Sequence, residues 1–66
     1  MAIMKVIEVL SESKTSYEDA ISKAVKKASK SIKNIKSAYV NEQSAVVTDG
    51  KVTAYRVNLK ITFQVD

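Results

Sequence analysis

Thr48-Asp49-Gly50-Lys51-Val52-Thr53-Ala54-Tyr55-Arg56-Val57-Asn58-Leu59-Lys60-Ile61-Thr62-Phe63-Gln64-Val65 is the stretch that decides the fold. Asp49-Gly50 is a two-residue hairpin signal, because both residue types tolerate the positive φ angles of a type I′ turn. Beyond it the chain alternates without a break. Tyr55, Val57, Leu59, Ile61, Phe63 and Val65 fall on one face, and Arg56, Asn58, Lys60, Thr62 and Gln64 on the other. That period of two predicts a half-buried strand over Lys51–Val65. Working backwards from the turn, Ser37–Thr48 reads as its partner. A tight turn fixes the register so that residue numbers across the hairpin sum to about 99. Ala38 then faces Ile61 and Val40 faces Leu59 on the apolar side. On the polar side Ser37 faces Thr62, Tyr39 faces Lys60, Asn41 faces Asn58 and Gln43 faces Arg56. A bulge would shift this register and flip the side chains.

Upstream of the hairpin the period changes. Ala20, Ile21, Ala24, Val25, Ala28 and Ile32 make a single apolar stripe at helical spacing. Ser16 is placed to accept a hydrogen bond from the Asp19 amide as N-cap, and Glu18 and Asp19 sit at the positive end of the helix dipole. Lys23, Lys26, Lys27, Lys30 and Lys33 take the opposite side, and the helix is expected to end between Ser31 and Asn34. Before it, Lys5–Leu10 is a β-branched run of strand length, with Ile7 and Val9 on one face and Val6, Glu8 and Leu10 on the other. Ser11–Ser16 reads as a polar connection. The fold class is therefore α+β: one β-α-β-β domain over residues 1–66, its antiparallel three-stranded sheet in the order 1-3-2, packed on one helix.

Sixty-six residues allow one small core. A chain of that length buries only about 60% of the surface it exposes when unfolded. Such domains gain the remainder from disulfides, metals or oligomerisation. With no Cys and no His, disulfides and the commonest transition-metal sites are excluded. The hairpin strands also outrun the first strand and the helix, so a second copy of the chain is the expected cover.

The same absences argue against an enzyme. There is no nucleophile–base pair, and Gly50, the only glycine, is needed by the turn. Calcium requires six to eight oxygen ligands, which no local run supplies; Glu12, Glu18, Asp19 or Glu42 could contribute only across subunits. The net charge of +4 comes from ten Lys and one Arg against seven carboxylates. Nucleic-acid modules normally add Arg or exposed aromatics, so nucleic acid is a disfavoured partner. With no signal peptide and no membrane-length apolar run, the chain reads as cytoplasmic, without membrane contact. The polar strand face is the candidate ligand surface: Arg56 with Gln43 and two asparagines suits a carboxylate, a phosphate or a heteroaromatic edge.

The short first strand, the Ser16-Tyr17-Glu18-Asp19-Ala20 helix start, the hairpin at Asp49-Gly50 and the last strand through Phe63-Gln64-Val65-Asp66 together resemble the dodecins over nearly the whole chain. The resemblance implies a hollow homododecamer built from trimers, helices outside and hairpin sheets inside. It implies non-enzymatic binding or storage of flavins (FMN, FAD or riboflavin) in pairs. Flavin-binding members carry a Trp just after the helix, whose position matches Ser37, and a Gln in the last strand, whose position matches Arg56. Tyr39 lies two residues from the Trp position on the same face. The resemblance implies Ser37 and Arg56, the polar strand face adds Tyr39 and Gln43, and the candidate ligand residues are thus Ser37, Tyr39, Gln43 and Arg56, with no metal ligands transferred. A dodecin-like subgroup lacks the Trp, one member of it binding calcium, and this chain looks closer to that subgroup. Two readings stand: an assembly that binds a small molecule, weakly if a flavin, or a structural or calcium-binding assembly with no flavin.

Overall fold

The computed structural model describes residues 2–65. Met1 and Asp66, the latter one of the seven carboxylates and the end of the quoted last strand, lie outside the described residues. The elements are β1 (Ile3–Ser13), α1 (Tyr17–Ala28), β2 (Ile35–Thr48) and β3 (Lys51–Val65). The sheet order is β1-β3-β2 with both pairings antiparallel, as expected.

β3 is central because its alternation supplies the apolar face that α1 covers. Val57, Leu59 and Ile61 are almost fully buried, and Ala20 of α1 is sealed against them. Ile7 and Val9 from β1 and Ala38 and Val40 from β2 pack around this row. The small Ala20, Ala24 and Ala28 let the helix lie close to the sheet. Tyr17 meets Tyr55 edge-on, ring centroids 5.1 Å apart, and closes the core at the start of α1.

Three local expectations change. β1 runs on to Ser13, because the serines read as a connection pair with Val57 to Tyr55 of β3 and satisfy their own hydroxyls. Ser11 Oγ donates to the Ala20 carbonyl at 2.8 Å. α1 ends at Ala28, earlier than the apolar stripe suggests. Ser29 Oγ donates to the Lys26 carbonyl, and the Ile32 amide still reaches the Ala28 carbonyl at 2.9 Å, which keeps Ile32 on the stripe in an irregular turn. Asn34, at φ 63°, then redirects the chain into β2.

The third change is the hairpin register. Asp49 and Gly50 have φ of 51° and 75°, as a type I′ turn requires. The pairs Thr48–Lys51, Val47–Val52, Val40–Leu59, Tyr39–Lys60, Ala38–Ile61 and Ser37–Thr62 match expectation. Between Glu42 and Val46 the register slips by one, because Asn41 on β2 and Thr53 on β3 are extra residues that offset each other. Gln43 therefore pairs with Val57, and Ser44 takes the place opposite Arg56.

Ser16 caps α1 as expected, its hydroxyl accepting from the Asp19 amide at 3.0 Å. The buried Ser13 hydroxyl donates to Asp19 Oδ2 at 2.6 Å, and Lys23 Nζ lies 3.0 Å from the same oxygen. Together they hold the Asp19 carboxyl below its ordinary range, the Ser13 hydrogen bond contributing most. A carboxylate depressed by folding stabilises the native state above its unfolded pKa, and that contribution disappears as pH falls through the native value. Asp19→Asn is therefore expected to melt below wild type near neutrality, with the gap narrowing below about pH 4. A gap that stays constant from pH 7 to pH 3 in thermal melts would show that Asp19 does not link folding to pH.

Candidate functional site on the polar sheet face

The sheet face turned away from α1 presents four rows, each crossing the three strands. Val6, Thr62 and Ser37 form the first, and Glu8, Lys60 and Tyr39 the second. Leu10, Asn58 and Glu42 form the third, and Glu12, Arg56 and Ser44 the fourth. Strand alternation puts all of them on one side.

Arg56 is not a free cation. Its Nε donates to Glu12 Oε1 at 2.7 Å, with both side chains about half exposed. One row away, Asn58 Nδ2 donates to Glu8 Oε2 at 2.8 Å, and Asn41 Nδ2 donates to Asn58 Oδ1 at 3.4 Å. A polar chain thus crosses all three strands beside an ion pair. Tyr39, 65% exposed, offers an uncovered ring in the second row. Met4, Val6 and Leu10 are exposed on the same face, so β1 lends it an apolar margin.

Three of the four expected ligand residues, Ser37, Tyr39 and Arg56, share this face. Gln43 does not sit beside Arg56. The Asn41 bulge turns it to the helix side, opposite Val57, and Ser44 replaces it. Nor does a single chain bring the three together. Thr62, opposite Ser37, is six residues along β3 from Arg56, about 20 Å at roughly 3.3 Å per residue.

Glu8, which sequence reasoning missed, and Glu12, which it read only as a cross-subunit calcium contributor, are the acids that meet Asn58 and Arg56. Their spacing of four puts both on the Leu10 face, and Arg56 alone on a strand is a signal for a cross-strand acid. The signal was hidden because β1 was expected to stop at Leu10.

The fit to the implied ligands can be read from the donor sets. For a flavin, Ser37 has no ring to stack on, and the exposed aromatic is Tyr39. For calcium, Glu12 is engaged by Arg56 and Asp19 by Ser13 and Lys23. No group of three or more acidic side chains is gathered among the described residues. One chain does not fit a cation that needs six to eight oxygens.

The dodecin family model matches residues 3–66. The curated calcium dodecin of Mycobacterium tuberculosis is 42% identical over 65 residues, covering 97% of this chain and 90% of that protein. A crystal structure of the calcium-chelating calcium dodecin from the same organism, with a calcium-binding site, superposes with a TM-score of 0.84 at 34% identity, over 97% of this chain and 91% of that one. The dodecin of Streptomyces coelicolor superposes with a TM-score of 0.92 at 26% identity, over 98% and 93% of the two chains. By family model, sequence and fold, the chain belongs to the dodecin family.

Proposed function

We propose that the chain works as a closed, non-catalytic homo-oligomer, a dodecamer built from trimers, that holds a small ligand between copies of its polar sheet face. The observation that carries this reading is the separation of the candidate residues. Ser37 and Arg56 are about 20 Å apart along β3, so both can touch one small molecule only if different chains supply them. The single-domain chain also buries few side chains, and assembly supplies the missing cover. A flavin would bind weakly, because no ring stands at position 37 and Glu12 already occupies Arg56.

A second reading, calcium between copies, is favoured by the relative that shares 42% of its residues and is a calcium dodecin. It suits a face whose three acids, Glu8, Glu12 and Glu42, lie in separate rows and need neighbours to complete a shell. Two titrations on the purified assembly test the ligand. Flavin fluorescence is expected to be quenched only at tens of micromolar protein or above. Calcium is expected to raise the melting temperature by several degrees and a chelator to reverse it, since a ligand at 100 times its Kd adds about 2.7 kcal/mol. No quenching at high micromolar flavin removes the flavin version, and a melting temperature indifferent to calcium and chelator removes the other.

A further inference from the structure

The molecule is long and thin, 51 × 20 × 13 Å, because the hairpin projects past everything that covers it. β1 ends where Ser13 meets Tyr55, so Lys51 to Ala54 and their partners on β2 have no third strand beside them, and of Lys51 to Ala54 only Ala54 is buried. Val47 and Val52 pair across this overhang and are 62% and 52% exposed. The alternation of β2 from Gln43 through Ala45 places Val47 on the helix side, and the Thr48 and Thr53 hydroxyls meet on the other side at 3.3 Å. Lys51, opposite Thr48, also falls on that other side. At the apex stands the exposed Asp49 carboxylate.

Near the opposite end lies a groove of about 450 Å³ between the outer edge of β1 and α1. Its floor is apolar, made by Ile7, Val9, Ala28 and Ile32, and Lys23 and Lys27 rim it. Lys23 is held by Asp19, whereas Lys27 makes no ion pair among the described residues.

We infer that this groove receives the hairpin tip of a second copy, with Val47 and Val52 on the apolar floor and Asp49 reaching Lys27. This rests on the proposed homo-oligomer and names the surfaces that build it. Two features specify the occupant. Apolar groove and apolar tip are both uncovered, and the tip carries an exposed acid at its apex while the groove rim carries Lys27, which makes no ion pair among the described residues. The patches differ, so the contact is head-to-tail, and such contacts repeat around a ring until the rotation closes. A ring of this kind gives every chain one filled groove and one covered tip.

The chain contains no cysteine, so engineered thiols report the contact directly. Val47→Cys and Ala28→Cys are made in separate chains, mixed in denaturant, refolded together and mildly oxidised. Bridging requires Cα atoms within about 7 Å. A covalent dimer is expected from the mixture and not from either variant alone. Lys27→Glu and Asp49→Lys, made singly, are each expected to shift the oligomer toward smaller species on dilution, and the double variant to recover most of the loss. Should the thiol variants fail to assemble, this charge exchange decides. An intact oligomer that forms no mixed dimer, and in which the charge variants neither weaken nor rescue, overturns the contact while leaving the assembly standing. A chain that stays monomeric at all concentrations overturns both.

Discussion

Leu59→Ala is expected to lower the melting temperature by at least about 10 °C and to leave the protein partly unfolded at low concentration. Leu59 is fully buried at the centre of the middle strand, paired with Val9 on one side and Val40 on the other. Truncating such a residue costs about 2–5 kcal/mol, the lost transfer energy plus the cavity left behind. A domain of this length has only a few kcal/mol to lose, at roughly 0.05–0.15 kcal/mol per residue. For small domains each kcal/mol moves the midpoint by about 4–8 °C. If the assembly adds to stability, as proposed, the loss will be concentration-dependent and deepest in dilute samples. Circular-dichroism melts at two protein concentrations check both parts. A shift of only a degree or two would mean that the Val57–Leu59–Ile61 row is not what holds the fold.

Ser37→Trp is expected to raise flavin affinity by about tenfold or more while changing thermal stability little. Ser37 is exposed at the start of the polar face, opposite Thr62, so a large ring there displaces only water. Exposed substitutions away from special features stay within about ±0.5 kcal/mol. A stacked aromatic pair contributes about 0.5–1.5 kcal/mol beyond burial, and two copies stacking on one bound pair double that, against about 1.4 kcal/mol per factor of ten. Fluorescence titrations of wild type and variant give the ratio. An unchanged ratio would place position 37 outside any ligand site, and a large loss of stability would mean that the face at Ser37 is already packed against a neighbour.

Much of this architecture could be read from the chain, for identifiable reasons. β3 alternates over its whole length, and Asp49-Gly50 specifies its turn, so the hairpin, both ends of β3 and the buried row were legible, while β2 begins at Ile35 rather than Ser37. Ser16 and Asp19 marked the helix start because capping is local chemistry. The misreadings came where non-local pairing overrides composition. Ser11 to Ser13 look like a loop, yet the edge of β3 gives them backbone partners and α1 gives their hydroxyls acceptors. The helix end was blurred because Ile32 keeps the apolar spacing after the regular hydrogen bonding stops. Two compensating bulges slipped the middle of the hairpin but left Ser37 to Val40 and Val47 to Thr48 in register, and a third irregularity lies between Ile35 and Ser37, none of which the alternation of β2 announces. That slip moved Gln43 off the candidate site. The Glu12–Arg56 pair, 44 positions apart in the chain, could be seen only once β1 was known to reach Ser13.

The pair also changes what the polar face offers. An unpaired Arg56 would be an anion receptor. With Glu12 at 2.7 Å it is a neutral hydrogen-bonding element with four remaining guanidinium N–H donors, suited to joining strands or chains. An exposed ion pair contributes only about 0–1 kcal/mol to folding, so its value to the chain lies in what meets it from outside.

Assembly is the claim on which the ligand site, the covered tip and the filled groove all depend. Intact mass under native conditions measures it in one experiment, with any carried flavin or calcium weighed at the same time. The expected spectrum is a single closed species whose subunit number is a multiple of three, twelve for the full shell, persisting at micromolar concentration. A spectrum dominated by the 7.3 kDa monomer would contradict it.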